Sequence, residues 1–141
     1  MVDIGAGPGI PGVPLRIVEP GISLTLIESR RKRVSFLSVL KRELGLDDVR
    51  ILEGRAEDLI IQLPELVDKF DLAVSRAVGP VEPLIPTALR YLKPGGLLIV
   101  SGPPPGNPRP VIPPEVKGQW KITDFPALGL SRVFLVVSKG A

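Results

Sequence analysis

Short apolar runs in this 141-residue chain alternate with longer stretches of helical period, and that alternation leaves few folds open. Val2–Ile4, Ile22–Ile27, Val49–Leu52, Phe70–Ser75 and Leu97–Val100 read as strands. Between them, Gly12–Val18, Arg30–Leu44, Glu57–Lys69 (broken at Pro64) and Pro83–Leu92 read as helices. The second helix puts Val34, Leu37, Leu40 and Leu44 on one face and stops at Gly45, a residue suited to a left-handed cap. Phe36 and Tyr91 fit core positions. Strands that alternate with helices predict a parallel sheet covered on both faces, and right-handed crossovers make it doubly wound. After Val100 the pattern changes. Gly102–Pro114 is a proline-rich loop, and Trp120–Thr123 and Val133–Val137 follow with no helical period between them. Two strands joined in that way predict an antiparallel hairpin. The expectation is a single α/β domain over residues 1–141, Rossmann-like, with a mostly parallel seven-stranded sheet closed by that hairpin.

Composition narrows the chemistry. A hydrophobic content of 44 % excludes a disordered chain. No apolar run approaches the roughly 18 residues of a membrane span, and the start lacks the cationic region of a secretory leader, so a cytoplasmic location is expected. The chain has no cysteine, which excludes thiolate nucleophiles, and no histidine, which removes the commonest general base and metal ligand. No metal site is expected. The net charge of +3 permits an acidic partner such as RNA without demanding one.

The stretch VDIGAGPGIPG, Val2 to Gly12, follows the first strand directly. In a doubly wound sheet that position lies at the ligand crevice, beyond the carboxyl ends of the strands. Gly7-Pro8-Gly9-Ile10-Pro11-Gly12 fits the dinucleotide pattern G-x-G-x-x-G. Asp3-Ile4-Gly5-Ala6-Gly7-Pro8-Gly9 fits D-x-G-x-G-x-G, the loop of S-adenosylmethionine (SAM) methyltransferases. Asp3 favours the second pattern, because a carboxylate there would repel a pyrophosphate and attract the methionine ammonium. Glu28 ends the second strand, where an acid takes both ribose hydroxyls of a nucleoside in either class. Glu57 follows the third strand, along the adenine edge of SAM sites; by itself it reads better as an acid placed for the helix dipole.

The stretches VDIGAGPGIPGVPLRIVEP, LTLIESRRKRVSFL, EGRAEDL, FDLAVSRAV and SRVFLVVSK resemble the bacterial small-subunit ribosomal RNA guanine-N7 methyltransferases, the RsmG or glucose-inhibited division protein B family. The likeness runs from Val2 to about Lys139. It implies a class I SAM-dependent methyltransferase fold, SAM as cofactor, and a guanine of 16S rRNA in the small ribosomal subunit as substrate. Carried over by position, Gly5, Ile10, Ala56, Glu57 and Arg76 would contact the cofactor, Glu28 matches the ribose acid, and Asp3 and Gly7 belong to the glycine loop. Two features depart from the family. Its helical segment ahead of the glycine loop is absent from this chain, which starts with Asp3 already in place. Its fifth strand commonly ends Lys-Gly, where this chain has Ser101-Gly102.

Guanine N7 carries a lone pair and no proton, so a chain without histidine or cysteine is equipped to methylate it by alignment alone. Cytosine C5 methylation needs a cysteine, and an adenine-N6 enzyme would carry an Asn-Pro-Pro-Tyr type motif where this chain has Ser75-Arg76-Ala77. Arg30, Arg31, Lys32 and Arg33 open the second helix beside Glu28. They suit RNA phosphates; the plainer alternative is a solvated helix face. The expected protein is a monomeric rRNA methyltransferase. A SAM enzyme with another acceptor, a SAM-binding module without turnover and an NAD-dependent oxidoreductase remain as alternatives.

Overall fold

A computed structural model describes residues 1–76 and 80–140. Seven strands form one sheet: β1 (Val2–Ile4), β2 (Thr25–Glu28), β3 (Arg50–Glu53), β4 (Phe70–Arg76), β5 (Leu92–Ser101), β6 (Gly118–Phe125) and β7 (Leu130–Ser138). The helices are α1 (Gly12–Val18), α2 (Arg31–Glu43), α3 (Ala56–Gln62) and α4 (Val81–Tyr91). The strand order is β3-β2-β1-β4-β5-β7-β6. The first five strands pair in parallel, and β7 inserts antiparallel between β5 and β6. This is the mostly parallel sheet with a closing hairpin that the alternation of elements predicts. The chain winds outward from β1 in one direction and from β4 in the other, so a switch point lies between them.

Both faces of β1 and β2 are covered, and every residue of these strands is buried. Alternate side chains therefore serve two cores. Leu24 and Leu26 pack with Val13 and Leu37 under α1 and α2. Ile27 packs on the opposite face with Leu59 and Ile60 of α3 and Ile85 of α4.

Several boundaries differ from the sequence reading, each for a local reason. The Lys93-Pro94-Gly95-Gly96 stretch, a helix stop in the sequence, begins β5 as an irregularity: Phe70 pairs with Leu92, but Leu72 pairs with Leu97. The extra residues are tied down by Lys139, whose carbonyl accepts from Gly95 N and whose N–H donates to Gly96. Helix α4 starts at Val81, two residues before Pro83, because Val81, Ile85 and Ala88 share its buried face. The Glu57–Lys69 segment is one short helix followed by a separate 3₁₀ turn, Pro64–Leu66, since Pro64 has no N–H to continue the ladder. Tyr91 is fully buried as expected, whereas Phe36 is 50 % exposed on the outer side of α2. On that helix the predicted stripe narrows to a buried Leu37 with Val34 and Leu40 half-buried.

Candidate functional site

The glycine loop leaves β1 and turns back over the end of β2. Gly5 and Ala6 both donate to the Ile27 carbonyl at 2.9 Å, and Gly9 donates to Ala6 at 2.8 Å. Gly9 adopts φ +91°, and a Cβ there would sit 2.9 Å from Val13 and 3.2 Å from Leu37, so no side chain fits. Two buried carboxylates hold the loop from below. Glu28 Oε2 accepts from Gly7 N at 2.8 Å, and its Oε1 accepts from Arg30 N at 3.1 Å. Asp3 Oδ2 accepts from Gly12 N, the first residue of α1, at 2.9 Å, while Oδ1 has no partner. Burial is the largest influence on Asp3 and pushes its pKa up to about 6; the Gly12 bond and Arg76 oppose that rise, and Glu28 adds to it.

Beside the loop, at the carboxyl ends of the parallel strands, lies a crevice of about 600 Å³. Its walls come from Gly5 and Glu28 on one side, Ala56 and Glu57 at the start of α3, Ser75 at the end of β4, and Pro83 and Leu84 of α4. That volume falls in the range of nucleoside and cofactor sites. Glu28 is 4 % exposed yet lines the crevice. Each of its oxygens takes one backbone donor, and a carboxylate accepts about four bonds, so two lone pairs remain for hydroxyls.

Ser75 Oγ donates to the Ile4 carbonyl at 3.0 Å and ties the end of β4 to that of β1 at the switch point. Tyr91, at the far end of α4, donates its hydroxyl to the Ala56 carbonyl at 2.6 Å and so fixes the start of α3 against the crevice. Burial pushes Tyr91 up to about 12, with Glu57 adding to the rise, so it stays a donor. Neither role is visible in the sequence, where Ser75 is one polar residue at a strand end and Tyr91 one aromatic in a helix.

Of the residues singled out from the sequence, Gly5, Glu28, Ala56 and Glu57 line the crevice, and so do Arg30 and Arg33. Asp3 is sealed beneath the loop, and Gly7, exposed Ile10 and exposed Arg76 lie outside the lining. Arg31 and Lys32 are exposed on the first turn of α2, off the crevice wall. Ala77, the last residue of the Ser75-Arg76-Ala77 motif, and Val78 of FDLAVSRAV lie outside the described residues. Among the described residues there is no group of three or more acids placed for a metal ion, and no helix is long and apolar enough to cross a membrane.

Comparison with known proteins places this geometry in context. The family described as GidB, rRNA small subunit methyltransferase G, matches residues 1–101. A ribosomal RNA small subunit methyltransferase G from Alkaliphilus oremlandii is 48 % identical over 99 residues, covering 70 % of this chain and 41 % of the relative. The protein of the same name from Ureaplasma parvum is 44 % identical over the same length, covering 70 % and 45 %. The chain thus spans less than half the length of these curated relatives. Among solved structures, a Klebsiella pneumoniae protein assigned as an O-methyltransferase superposes with a TM-score of 0.73 at 21 % identity, over 99 % of this chain and 72 % of that one. The cyclase SpnF superposes with a TM-score of 0.68 at 20 % identity, over 99 % and 74 %. These likenesses show the class I methyltransferase fold.

Proposed function

Because the chain belongs to the GidB family of rRNA small subunit methyltransferases, we propose that its crevice binds SAM and that the protein transfers the methyl group to N7 of a guanine in 16S rRNA. The observation that carries the reading is Glu28: a carboxylate at the end of β2, held rigid by Gly7 and Arg30, with acceptor capacity left toward the crevice. Two vicinal ribose hydroxyls suit that capacity. The Ala56–Glu57 backbone, braced by Tyr91, flanks the place of the base, and Gly5 leaves the loop backbone open to the amino-acid end. Asp3, Gly7 and Ile10 act through the shape of the loop, Asp3 by anchoring Gly12.

SAM supplies an electrophilic methyl group on a sulfonium. The remaining work is positional, because N7 needs no deprotonation. Alignment of two bound partners can supply on the order of 7–11 kcal/mol. The positive charge moves from the donor to the base, so no oxyanion hole is needed and the absence of histidine and cysteine from the chain is no obstacle. Arg30, Arg31, Lys32 and Arg33 lie beside the crevice mouth or on the same helical turn, where RNA phosphates would be neutralised. The reading carries a cytoplasmic location, where small subunits reside, and a monomer.

The test is tritium transfer from labelled SAM to small subunits lacking the modification, with calorimetry of SAM and of NAD in parallel. SAM binding with label in a guanine is the expected result. NAD binding in place of SAM, or SAM binding without transfer, would refute the cofactor and the turnover respectively.

A further inference from the structure

One face of the sheet is covered over only part of its width. The crossovers that join β1, β2 and β3 place α1 and α2 on one side, where they pack over Leu24 and Leu26. Residues paired in register share a face. One such row runs across six strands, from Leu26 through Asp3, Val74, Ile99 and Val136 to Gln119. Its first members lie under the two helices, and its last members lie beyond them. Burial marks where the cover ends. On β5, Leu98 and Val100 of the opposite face are buried, whereas Leu97 is 39 % exposed and Ile99 is half-buried. On β7, Val133, Leu135 and Val137 of the opposite face are buried, whereas Phe134 and Val136 are half-buried and Arg132 is exposed. At the sheet edge, β6 turns Gln119 and Lys121 to the same open face. A groove of about 530 Å³ lies there, with Leu97 and Val136 on one side and Lys117, Gln119 and Lys121 on the other. Lys117, Lys121 and Arg132 form no ion pair among the described residues. Asp124 points to the opposite face, where it accepts from the Ser131 hydroxyl.

We propose that this open sheet face binds a single-stranded stretch of the RNA substrate, with bases against Leu97, Ile99, Phe134 and Val136 and phosphates toward Lys117, Lys121 and Arg132. It rests on the methyltransferase reading, which supplies RNA as the partner, and adds a surface outside the crevice. An apolar strip beside a row of cations matches a single strand, whose bases are flat and apolar on their faces and whose backbone is anionic. Two observations favour RNA over a polypeptide. The β7 and β6 side chains on this face include cations and no acid. The upper end of the face also adjoins the crevice: Lys121 pairs with Phe134, Phe134 with Ser101, and Ser101 with the last residue of β4, directly after Ser75 of the crevice wall. A strand lying on the face therefore leads toward the place where the acceptor base must enter.

The test measures binding of transcribed 16S rRNA to the full chain across a range of KCl concentrations, with SAM affinity by calorimetry and oligomeric state by sedimentation. The variants are Lys117→Gln, Lys121→Gln, the double variant and Leu97→Glu, all at exposed positions where substitution leaves the fold intact. One phosphate contact with a single strand contributes roughly 0.7 to the slope of log affinity against log salt. Each glutamine variant should flatten the slope by about that amount, and the double variant by about 1.4. Leu97→Glu removes part of the apolar seat and sets a carboxylate against the strand, so affinity should fall at least about fivefold at every salt concentration. SAM affinity should stay unchanged in all four. Unchanged slopes in the lysine variants overturn the proposal. Flattened slopes with an unaltered Leu97→Glu affinity leave only a charged rim and overturn the sheet-face seat. A wild-type dimer that Leu97→Glu dissolves gives the face to a second copy and overturns it too. Retention of nuclease-treated small-subunit protein by the wild type but not by Leu97→Glu assigns the face to a polypeptide, with the same consequence. Failure of the methyltransferase reading shows separately, as a wild-type chain that does not bind SAM.

Discussion

The two ends of the glycine loop are both tied to buried carboxylates, but in opposite ways. At the Gly7 end, Glu28 uses both oxygens on backbone N–H groups and still faces the crevice. At the Gly12 end, Asp3 uses one oxygen, leaves the other unpartnered and is sealed from solvent. Two acids on neighbouring strands, Asp3 in the middle of β1 and Glu28 at the end of β2, thus divide the work: Glu28 presents acceptor capacity to a ligand, and Asp3 fixes where α1 begins. The cost falls on Asp3, because a buried carboxylate with a bare oxygen is expensive to keep charged.

Removing Glu28 should have the largest effect. Glu28→Ala strips two charge-assisted bonds and the ribose acceptor, and we expect about 3 kcal/mol or more lost from SAM binding by calorimetry, a fall of at least a hundredfold. A loss below tenfold would place the ligand's hydroxyls elsewhere. Asp3 should answer to pH instead. Its folded pKa, about 6, lies above the ordinary 3.8, so the folded state binds more protons than the unfolded one between those values. Its contribution to stability is therefore fully present below pH 3.8 and is lost as pH rises through about 6. A shift of that size corresponds to roughly 3 kcal/mol. Asp3→Asn keeps the acceptor for Gly12 without the charge, so in urea unfolding its stability relative to wild type should rise from pH 4 to pH 7. A pH-independent difference would mean that burial does not govern this group.

The backbone partners sharpen the same contrast. A Cβ at Gly12 would lie 2.7 Å from Asp3 Oδ2 and 3.0 Å from Leu26, so Gly12→Ala must displace the anchor, at about 1–3 kcal/mol of stability by urea unfolding. At Gly7 the nearest atom is 3.5 Å away and only the positive φ resists a side chain, so Gly7→Ala should cost about 1 kcal/mol. An equal cost at both positions would remove the difference between the packed end and the open end.

Much of this was legible from residue order. The strand and helix sequence and the closing hairpin follow from periodicity, the places of Glu28 and Glu57 follow from the rule that ligands sit at strand carboxyl ends, and those of Gly5 and Ala56 follow from the family resemblance. The bulged start of β5 was hidden because Pro94 and the two following glycines signal a turn, and only Lys139, distant in the chain, holds them in the sheet. Phe36 was misplaced because a helical period gives the phase of a stripe but not its width, which depends on how much neighbouring surface is available to cover it.

What the sequence alone determined is the order of elements and the kind of ligand loop, since both arise from local spacing: apolar period, glycines that permit left-handed turns, acids at strand ends. What only the tertiary structure decided is which distant groups meet. The Tyr91 hydroxyl reaches Ala56, Asp3 lies under Gly12, and Arg33 comes beside Arg76 over Gly7. Those meetings depend on sheet order and helix packing, which bring together residues whose separation along the chain carries no signal of contact.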